Sequence, residues 1–155
     1  MVKKYKSGLR EEYENGKLVR ADFPDGTVWK GTFDGKKDLV YGTKNLPNGQ
    51  YEVGEYKKGE LINGIKGGYA DGHTDNGKYE NGVLVEGTRK LPNGVKEAGK
   101  FKNGKLETGT RVFNNGTIEI GEFKNDKLVK GTKVLKDGRI FYGTYKGDVF
   151  SGSSM

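Results

Sequence analysis

Short stretches of alternating apolar and polar residues, each ended by a turn signal, make up most of this chain. The segments TRVF (residues 110–113) and TIEIGEF (residues 117–123) flank the dipeptide Asn115-Gly116. Asn-Gly between β-rich segments predicts a β-hairpin, because a type I′ turn needs positive φ at both central residues. No segment has the periodicity of a capped helix. The pattern therefore predicts an antiparallel meander of roughly a dozen short strands, two for each of six repeats.

The hairpin recurs with a period of 22–23 residues. Turn glycines lie at Gly26, Gly49, Gly72, Gly94, Gly116 and Gly138. Five residues after each comes a second glycine, and two residues further an aromatic, so that the structural positions of the repeat are Gly31 and Phe33, Gly54 and Tyr56, Gly77 and Tyr79, Gly99 and Phe101, Gly121 and Phe123, Gly143 and Tyr145. A fixed period of this length indicates one supersecondary element stacked on copies of itself.

The repeat sets the predicted boundaries along the chain. Residues 1–22 read as a degenerate N-terminal capping repeat, because Ala21 stands where a glycine is expected. Residues 23–147 hold six repeats in register, and residues 148–155 are predicted to form a C-terminal cap and flexible tail. Atypical ends are expected of a capped array.

Every second residue of a β-strand lies on the same face of the sheet, so the sequence shows whether one face is apolar. With two-residue turns, Phe123, Leu128, Thr132 and Val134 share a face with Gly121, and the isoleucines 118 and 120 share the other. Neither face is cleanly apolar, which favours a single-layer, twisted and elongated sheet over a sandwich. We expect aromatic rings of neighbouring repeats to stack over the glycines, which would be needed where a ring lies close to backbone.

Composition agrees with a thin sheet and excludes some classes of site. Hydrophobic residues are 32% of the 155, below the roughly 45–50% of ordinary domains, and glycine supplies 27 residues. The absence of cysteine excludes disulfides and thiolate metal sites. No apolar run exceeds three residues, so neither a signal peptide nor a membrane span is visible, which favours a cytoplasmic or peripheral location.

The stretch from Glu119 to Asn125, with its turn and the later Gly131-Thr132, resembles the MORN (membrane occupation and recognition nexus) repeat. The position occupied by tyrosine in that family holds Trp29 and Phe141 here, but an acidic residue in the middle repeats, at Glu52, Asp75, Glu97 and Glu119. The chain is therefore similar to a divergent, MORN-variant branch. The resemblance implies an elongated β-scaffold that dimerises in some members and associates with acidic phospholipids in others.

Lysines concentrate around the turn that follows each aromatic. They are Lys36, Lys37, Lys57, Lys58, Lys102, Lys105, Lys124, Lys127 and Lys146. A repeat places such residues in a row, which predicts a surface for an anionic partner, acidic phospholipid among them. The alternative is that these lysines are solvated and discourage edge-to-edge aggregation. The acidic row interrupts the basic one, so nucleic acid is not expected as a partner.

Other polar residues give no catalytic, cofactor or metal site. The acidic row and the basic residues Lys44, Arg89, Arg111 and Lys133 are predicted to pair across strands. His73, the only histidine, lies in an Asp-Gly-His-Thr-Asp turn that does not match a calcium loop and reads as a solvated turn. Serines near the ends have no histidine partner.

Together these features predict a non-enzymatic repeat protein with no cofactor. Its expected role is that of a structural scaffold in protein–protein assembly, which binds a protein partner or itself through the sheet surface or the end strands. Peripheral contact with acidic lipid is a secondary expectation. A carbohydrate-binding or cell-surface repeat module is the alternative, since exposed aromatics such as Tyr51 and Tyr142 stack on sugars.

Overall fold

The computed structural model describes residues 1–147 and 149–154, which form fifteen β-strands and, in this part of the chain, no helix. The first eight are β1 (Val2–Lys4), β2 (Arg10–Glu14), β3 (Lys17–Asp22), β4 (Val28–Phe33), β5 (Leu39–Asn45), β6 (Tyr51–Lys57), β7 (Glu60–Gly67) and β8 (Thr74–Glu80). The other seven are β9 (Val83–Lys90), β10 (Lys96–Lys102), β11 (Lys105–Val112), β12 (Ile118–Lys124), β13 (Lys127–Val134), β14 (Ile140–Lys146) and β15 (Val149–Ser154). Within these ranges nothing helical is long and apolar enough to cross a membrane.

The strands form an open antiparallel meander in which strand order is sequence order. This confirms the predicted all-β, single-layer fold of hairpin repeats. The chain divides into two compact units, an N-terminal unit (Met1–Gly82) and a C-terminal unit (Val83–Met155). Each has its own core of leucines and aromatics, with Leu39, Tyr56, Leu61 and Tyr79 in the first and Leu84, Phe101, Leu106, Phe123, Leu128 and Tyr145 in the second.

Two kinds of turn alternate, and the sequence-based assignment of the type I′ turn was wrong. At Asn115-Gly116 only the glycine has positive φ, Phe113 N–H bonds the Thr117 carbonyl at 2.9 Å, and the Asn115 side chain accepts from Thr117 N–H. This is a three-residue loop with a glycine in the left-handed region. The two-residue turns with positive φ at both positions are those after the aromatics, such as Asn103-Gly104, with φ of 53° and 78°.

A β-bulge in the hairpins β2–β3, β6–β7, β10–β11 and β12–β13 changes which residues share a face. In the pairing of β12 with β13, the register shifts between Glu122 and Phe123, so that Phe123 faces Leu128 but Gly121 faces Gly131. Ile120 therefore faces Thr132. The prediction that Thr132 and Val134 lie on the face of Phe123 was wrong, because the bulge inserts one residue and reverses the alternation beyond it. We call the face that carries the buried aromatics and leucines the covered face.

The glycines of the repeat face one another across neighbouring strands. In the C-terminal unit the register joins Gly87, Gly99, Gly109, Gly121, Gly131, Gly143 and Gly152. At Gly109, with φ of 148°, a Cβ would lie 2.0 Å from the Ala98 carbonyl oxygen. The nearest atoms belong to the backbone of the facing strand rather than to a ring, so the close approach of two backbones, and not ring stacking, requires glycine here.

The predicted terminal segments also contain strands. Residues 1–22 hold β1 to β3, with β1 only three residues long. Of the segment predicted as cap and flexible tail, Val149–Ser154 forms β15 and pairs along its length with β14, whereas Asp148 and Met155 lie outside the described residues. Small residues do not prevent this pairing, because Gly152 faces Gly143 and continues the glycine register.

Candidate binding surfaces

All nine lysines predicted to form an anionic-partner row are exposed and lie in or beside the turns that follow the aromatics. Lys36, Lys37, Lys57 and Lys58 belong to the N-terminal unit and the other five to the C-terminal unit. Among the described residues, carboxylate partners are found for two of the nine: Lys37 Nζ lies 3.2 Å from Glu11 Oε1, and Lys105 Nζ lies 3.7 Å from Asp126 Oδ2. The row is therefore available to solvent, as both the functional and the solvated interpretation require.

The two units differ in the charges that face each other at the base of these hairpins. In the N-terminal unit the facing residues are oppositely charged, Glu14 with Lys17 and Lys57 with Glu60. In the C-terminal unit, two hairpins place lysine opposite lysine, Lys102 with Lys105 and Lys124 with Lys127, and in the third Lys146 faces Val149. The N-terminal unit has fourteen Lys and Arg against thirteen Asp and Glu, and the C-terminal unit fourteen against eight. Nearly all of the net charge of +7 therefore belongs to the C-terminal unit.

A groove of about 650 Å³ lies between the two lysine-bearing hairpins of the C-terminal unit. Its rim includes the lysines 102, 105 and 124 and the turn residues Asn103 and Asn125. Leu106, Phe123 and Val129 provide apolar lining, and Glu107, Thr108 and Glu122 complete it. Glu122 faces Lys130 in the strand register, so its charge is offset by a neighbouring cation. We call this the lysine-edge groove.

On the covered face, charged side chains form an alternating ladder across the strands of each unit. In the C-terminal unit the register runs from Arg89 through Glu97, Arg111 and Glu119 to Lys133. Arg111 Nη2 lies 2.7 Å from Glu97 Oε2, and Lys133 Nζ lies 3.3 Å from Glu119 Oε2. In the N-terminal unit, Lys66 Nζ lies 3.6 Å from Glu52. These ion pairs confirm the predicted cross-strand pairing, and Lys66 is a member that the sequence analysis missed.

Each basic residue of the ladder also contacts the next aromatic ring, and Lys44, Lys66, Arg89 and Arg111 donate to a carbonyl of the next hairpin as well. Arg111 Cζ lies 4.8 Å from the Phe123 ring centroid, and its Nη1 donates to the Asp126 carbonyl at 2.6 Å. Lys44 likewise lies 4.9 Å from the Tyr56 centroid and donates to the Gly59 carbonyl at 2.6 Å. Equivalent contacts join Lys66 to Tyr79 and Gly82, Arg89 to Phe101 and Gly104, and Lys133 to Tyr145.

The expected stacking of aromatic rings between repeats was therefore wrong for the repeat aromatics that the structure describes. A cation lies over the rings of five of these aromatics and holds them by cation–π contacts, which contribute about 0.5–2 kcal/mol each according to their desolvation. The five are Tyr56, Tyr79, Phe101, Phe123 and Tyr145. Ring–ring contacts are found near the ends instead, such as Phe23 with Trp29 at 4.6 Å and Tyr145 with Phe150 at 5.0 Å. The acidic residues noted in the sequence, such as Glu97 and Glu119, lie beside these cations, because each carboxylate faces a basic residue on the neighbouring strands.

A second kind of groove recurs on the covered face of each unit. The C-terminal groove, of about 560 Å³, includes Arg111, Phe113, Glu119, Leu128 and Lys133. The N-terminal groove, of about 320 Å³, includes the residues that lie exactly three repeats earlier, Lys44, Leu46, Glu52, Leu61 and Lys66. Each pair is 67 residues apart in the chain. The two grooves therefore present the same order of cation, apolar side chain and carboxylate.

Aromatic side chains replace the carboxylate at one side of each groove. Trp29 faces Lys44 in the register, and the Lys44 ammonium lies 4.1 Å from the indole centroid. Phe141 faces Lys133 and packs edge-on against Phe150 at 5.5 Å. Because Trp29 and Phe141 stand where other repeats carry Glu or Asp, each ladder ends beside an apolar surface. Both residues line their groove.

Local contacts hold the histidine turn. Asp71 Oδ1 accepts from the His73 backbone N–H at 3.0 Å and lies 2.5 Å from Nδ1 of its ring, which stacks on Tyr69 at 4.0 Å. The backbone hydrogen bond, followed by the contact with the ring, holds the pKa of the Asp71 carboxyl below its usual value. Across residues 1–147 and 149–154, no group of three or more His, Asp or Glu side chains is placed to hold a metal ion.

Glu11 is a buried carboxylate at the N-terminal end, and it predicts a pH dependence. It accepts hydrogen bonds from Tyr5 Oη at 2.6 Å and Tyr13 Oη at 2.9 Å, and from Lys37. Burial raises the pKa of Glu11, but these three donors together outweigh burial and leave the pKa below its ordinary value. A carboxyl with a depressed pKa in the folded state stabilises the fold above its ordinary pKa, and this contribution is lost as pH falls through the folded-state value.

We therefore expect Glu11→Gln to reduce the free energy of unfolding at pH 7 by about 1–2 kcal/mol, since it removes hydrogen bonds to a charged acceptor. The difference from the parent protein should shrink as pH falls below about 4.3, the ordinary pKa of glutamate. Urea unfolding at several pH values measures it, with the exposed Glu14→Gln as the control. A difference that stays constant with pH would show that the loss comes from packing and not from the carboxylate.

The end strands are the remaining surface named in the sequence analysis. In the order of the described strands, β1 and β15 have a neighbour on one side only. β1 is short and carries Lys3 and Lys4, whereas β15 has six residues, VFSGSS, without a charge. A short edge strand that carries lysines is protected against pairing with a strand of another chain. This protection is present in β1 and absent from β15.

Matches to known proteins are found among solved structures, at low sequence identity. No family model matches the sequence. A search of curated proteins likewise gives no match. Among solved structures, the wild-type TCP10 domain of CPAP from Danio rerio is similar, with 19% identity, 92% of this chain and 83% of that chain covered, and a TM-score of 0.28. A structure of the G-box domain of the microcephaly protein CPAP has 18% identity, covers 100% of this chain and 96% of that one, and has a TM-score of 0.31. At these TM-scores the similarity assigns no function to this chain.

Proposed function

We propose that this chain is a non-enzymatic, MORN-like β-repeat scaffold that binds peptide segments of protein partners in the grooves of its covered face. The observation that supports this is the recurrence of one groove in both units, with Lys44, Leu46 and Glu52 in the first matched by Arg111, Phe113 and Glu119 in the second. Repeated presentation of the same polar and apolar groups is typical of scaffolds that hold extended ligands.

The chemistry of the groove suits a peptide. Leu46 and Phe113 are only partly buried and can accept an apolar side chain, while the adjacent cation and carboxylate can pair with polar groups of a bound backbone. The charged groups repeat along the strands and are engaged with one another, as Arg111 is with Glu97. Charges that are held in this way position a ligand and do not resemble a poised nucleophile or base.

Random-peptide display against the full chain tests the proposal. We expect the selected peptides to share a motif and to bind at least about tenfold more weakly to the Phe113→Ser variant, because an apolar anchor in a pocket contributes about 1–3 kcal/mol. Val112→Ser is the matched control, since Val112 is the preceding residue on the opposite face and is 37% exposed. Selection of no common motif, or equal binding to both variants, would contradict the proposal.

The other expectations from the sequence stay predictions. Self-association through an end strand concerns β15, whose uncharged residues leave its outer edge unprotected, and it is checked by light-scattering mass at increasing concentration. Contact with acidic phospholipid concerns the exposed lysines and is separated from protein binding by the experiment in the next subsection. Carbohydrate binding remains the alternative function, and it would appear as selective binding in a glycan array.

A further inference from the structure

We propose that the hairpins of the C-terminal unit form a docking site for an extended acidic peptide that carries an acidic residue at every third position. The site consists of five exposed lysines in three successive hairpins, which we call the lysine edge: Lys102, Lys105, Lys124, Lys127 and Lys146. Lys127 also lines the C-terminal groove of the covered face, but the lysine-edge groove shares no lining residue with that groove, and the proposal does not depend on the function proposed above.

The first argument is the unfavourable charge at this edge. Like charges directly opposite each other destabilise an antiparallel pair, and lysine faces lysine in both β10–β11 and β12–β13. The N-terminal unit has the same hairpin with opposite charges, as in Lys57 facing Glu60, so the repeat does not require two lysines. Within the described residues, one ion pair lies along the lysine edge, that of Lys105 with Asp126, and both side chains are more than half exposed. An anionic ligand would relieve the repulsion.

The second argument is shape. The lysine-edge groove separates the two hairpins and joins its basic rim to apolar side chains, among them Leu106 and Val129. The side-chain amides of Asn103 and Asn125 lie beside the lysines and can bond a peptide backbone. A recess that contains cations, amides and apolar groups fits a polypeptide, since a flat layer of lipid headgroups would meet only the protruding lysines.

The third argument is spacing. Successive hairpins at one edge of a sheet are two strands apart, which is about 9.6 Å at about 4.8 Å per strand. A peptide in the polyproline II conformation rises about 3.1 Å per residue with three residues per turn, so side chains at i and i+3 point the same way about 9.3 Å apart. Acidic residues at i, i+3 and i+6 therefore match the three hairpins that carry Lys102, Lys124 and Lys146.

Fluorescence anisotropy with the full chain tests this. The probe is a labelled peptide with aspartate at i, i+3 and i+6 between uncharged residues, and its control has the same composition with three adjacent aspartates. We expect tighter binding of the spaced peptide, with affinity that falls as salt is raised. Equal binding of both peptides at every salt concentration would overturn the proposed spacing.

Variants locate the site. Lys105→Glu with Lys127→Glu gives the C-terminal hairpins the charge pattern of Lys57 and Glu60, and we expect it to weaken binding about tenfold or more. The matched control, Lys36→Glu with Lys58→Glu, makes the same change of net charge at exposed sites in the N-terminal unit and should leave binding within about twofold. Equal weakening by both variants would mean that net charge, and not the lysine edge, binds the peptide.

Two further probes distinguish other anions. Vesicles that contain phosphatidylserine and a short DNA duplex are tested as competitors of the labelled peptide. We expect that neither the vesicles nor the duplex displaces more than a small part of the labelled peptide. Preferential binding of the vesicles, lost in Lys105→Glu with Lys127→Glu, would overturn the peptide in favour of a membrane surface, and preferential binding of the duplex would do so in favour of nucleic acid.

Discussion

Replacing Arg111 with methionine is expected to lower the free energy of unfolding by about 3–5 kcal/mol, the usual result of removing one partner from a buried ion pair. The Arg111 guanidinium lies between Glu97 and Glu119, and all three side chains are less than a tenth exposed. Methionine fills similar space but leaves both carboxylates without their shared cation. It also removes the donor to the Asp126 carbonyl. Urea unfolding at neutral pH measures the loss.

Two further variants separate charge from packing at this position. Adding Glu97→Gln and Glu119→Gln to the Arg111→Met protein should restore part of the lost stability, because the two buried side chains then carry no charge beside the missing cation. Arg139→Met, at an exposed pair with Asp137, should change stability by less than about 1 kcal/mol. If the triple variant is no more stable than Arg111→Met alone, the cation–π contact with Phe123, and not the ion pairs, is the main contribution.

The second large effect is expected for Gly109→Ala, which should cost about 3 kcal/mol or prevent the C-terminal unit from folding. The backbone at Gly109 has φ of 148°, which side chains avoid, and the added Cβ would meet the Ala98 carbonyl at 2.0 Å. Relief requires β10 and β11 to separate at the point where Gly99 faces Gly109. Thermal unfolding measures the loss, and amide exchange in these strands locates it.

Gly104→Ala is the matched control for Gly109→Ala. Gly104 also has positive φ, at 78°, but nothing lies within 4 Å of a Cβ placed there. We expect a cost of only about 1 kcal/mol, that of an L-residue in the left-handed region. Similar losses at Gly104 and Gly109 would mean that backbone conformation alone, and not the approach of the two strands, makes glycine necessary.

The repeat made the architecture predictable because every copy carries the same signals at the same spacing. Glycines such as Gly99 and Gly121 and aromatics such as Phe101 and Phe123 recur in phase, and this was enough to predict an antiparallel meander without helices. The bulge was not predictable by counting, since the extra residue, Val129 in β13, has no special identity. Counting every second residue therefore assigns side chains to the wrong face wherever a strand contains an extra residue that the sequence does not distinguish.

The charges show the same limit of sequence reasoning. Pairing of Glu119 with basic neighbours could be predicted, because acidic and basic residues recur at fixed positions in the middle repeats. The difference between the two units could have been found in the four-residue hairpins, where residues 102–105 read KNGK and residues 124–127 read KNDK, against ENGK at residues 14–17 and KKGE at residues 57–60. The difference becomes visible when each turn lysine is compared with the residue that faces it across the hairpin, and not only with the other lysines of the row.

The bulge and the glycine register together limit how such a gene can change in length. One residue inserted into a strand such as β12 would turn Gly121 or Phe123 to the opposite face and place a side chain where two backbones nearly touch. A complete pair of strands, inserted between loops, restores both the direction of the chain and the face of every side chain. Duplication or deletion of whole repeats is therefore the tolerated change, and small insertions are expected to accumulate only in the three-residue loops, such as that from Asn114 to Gly116.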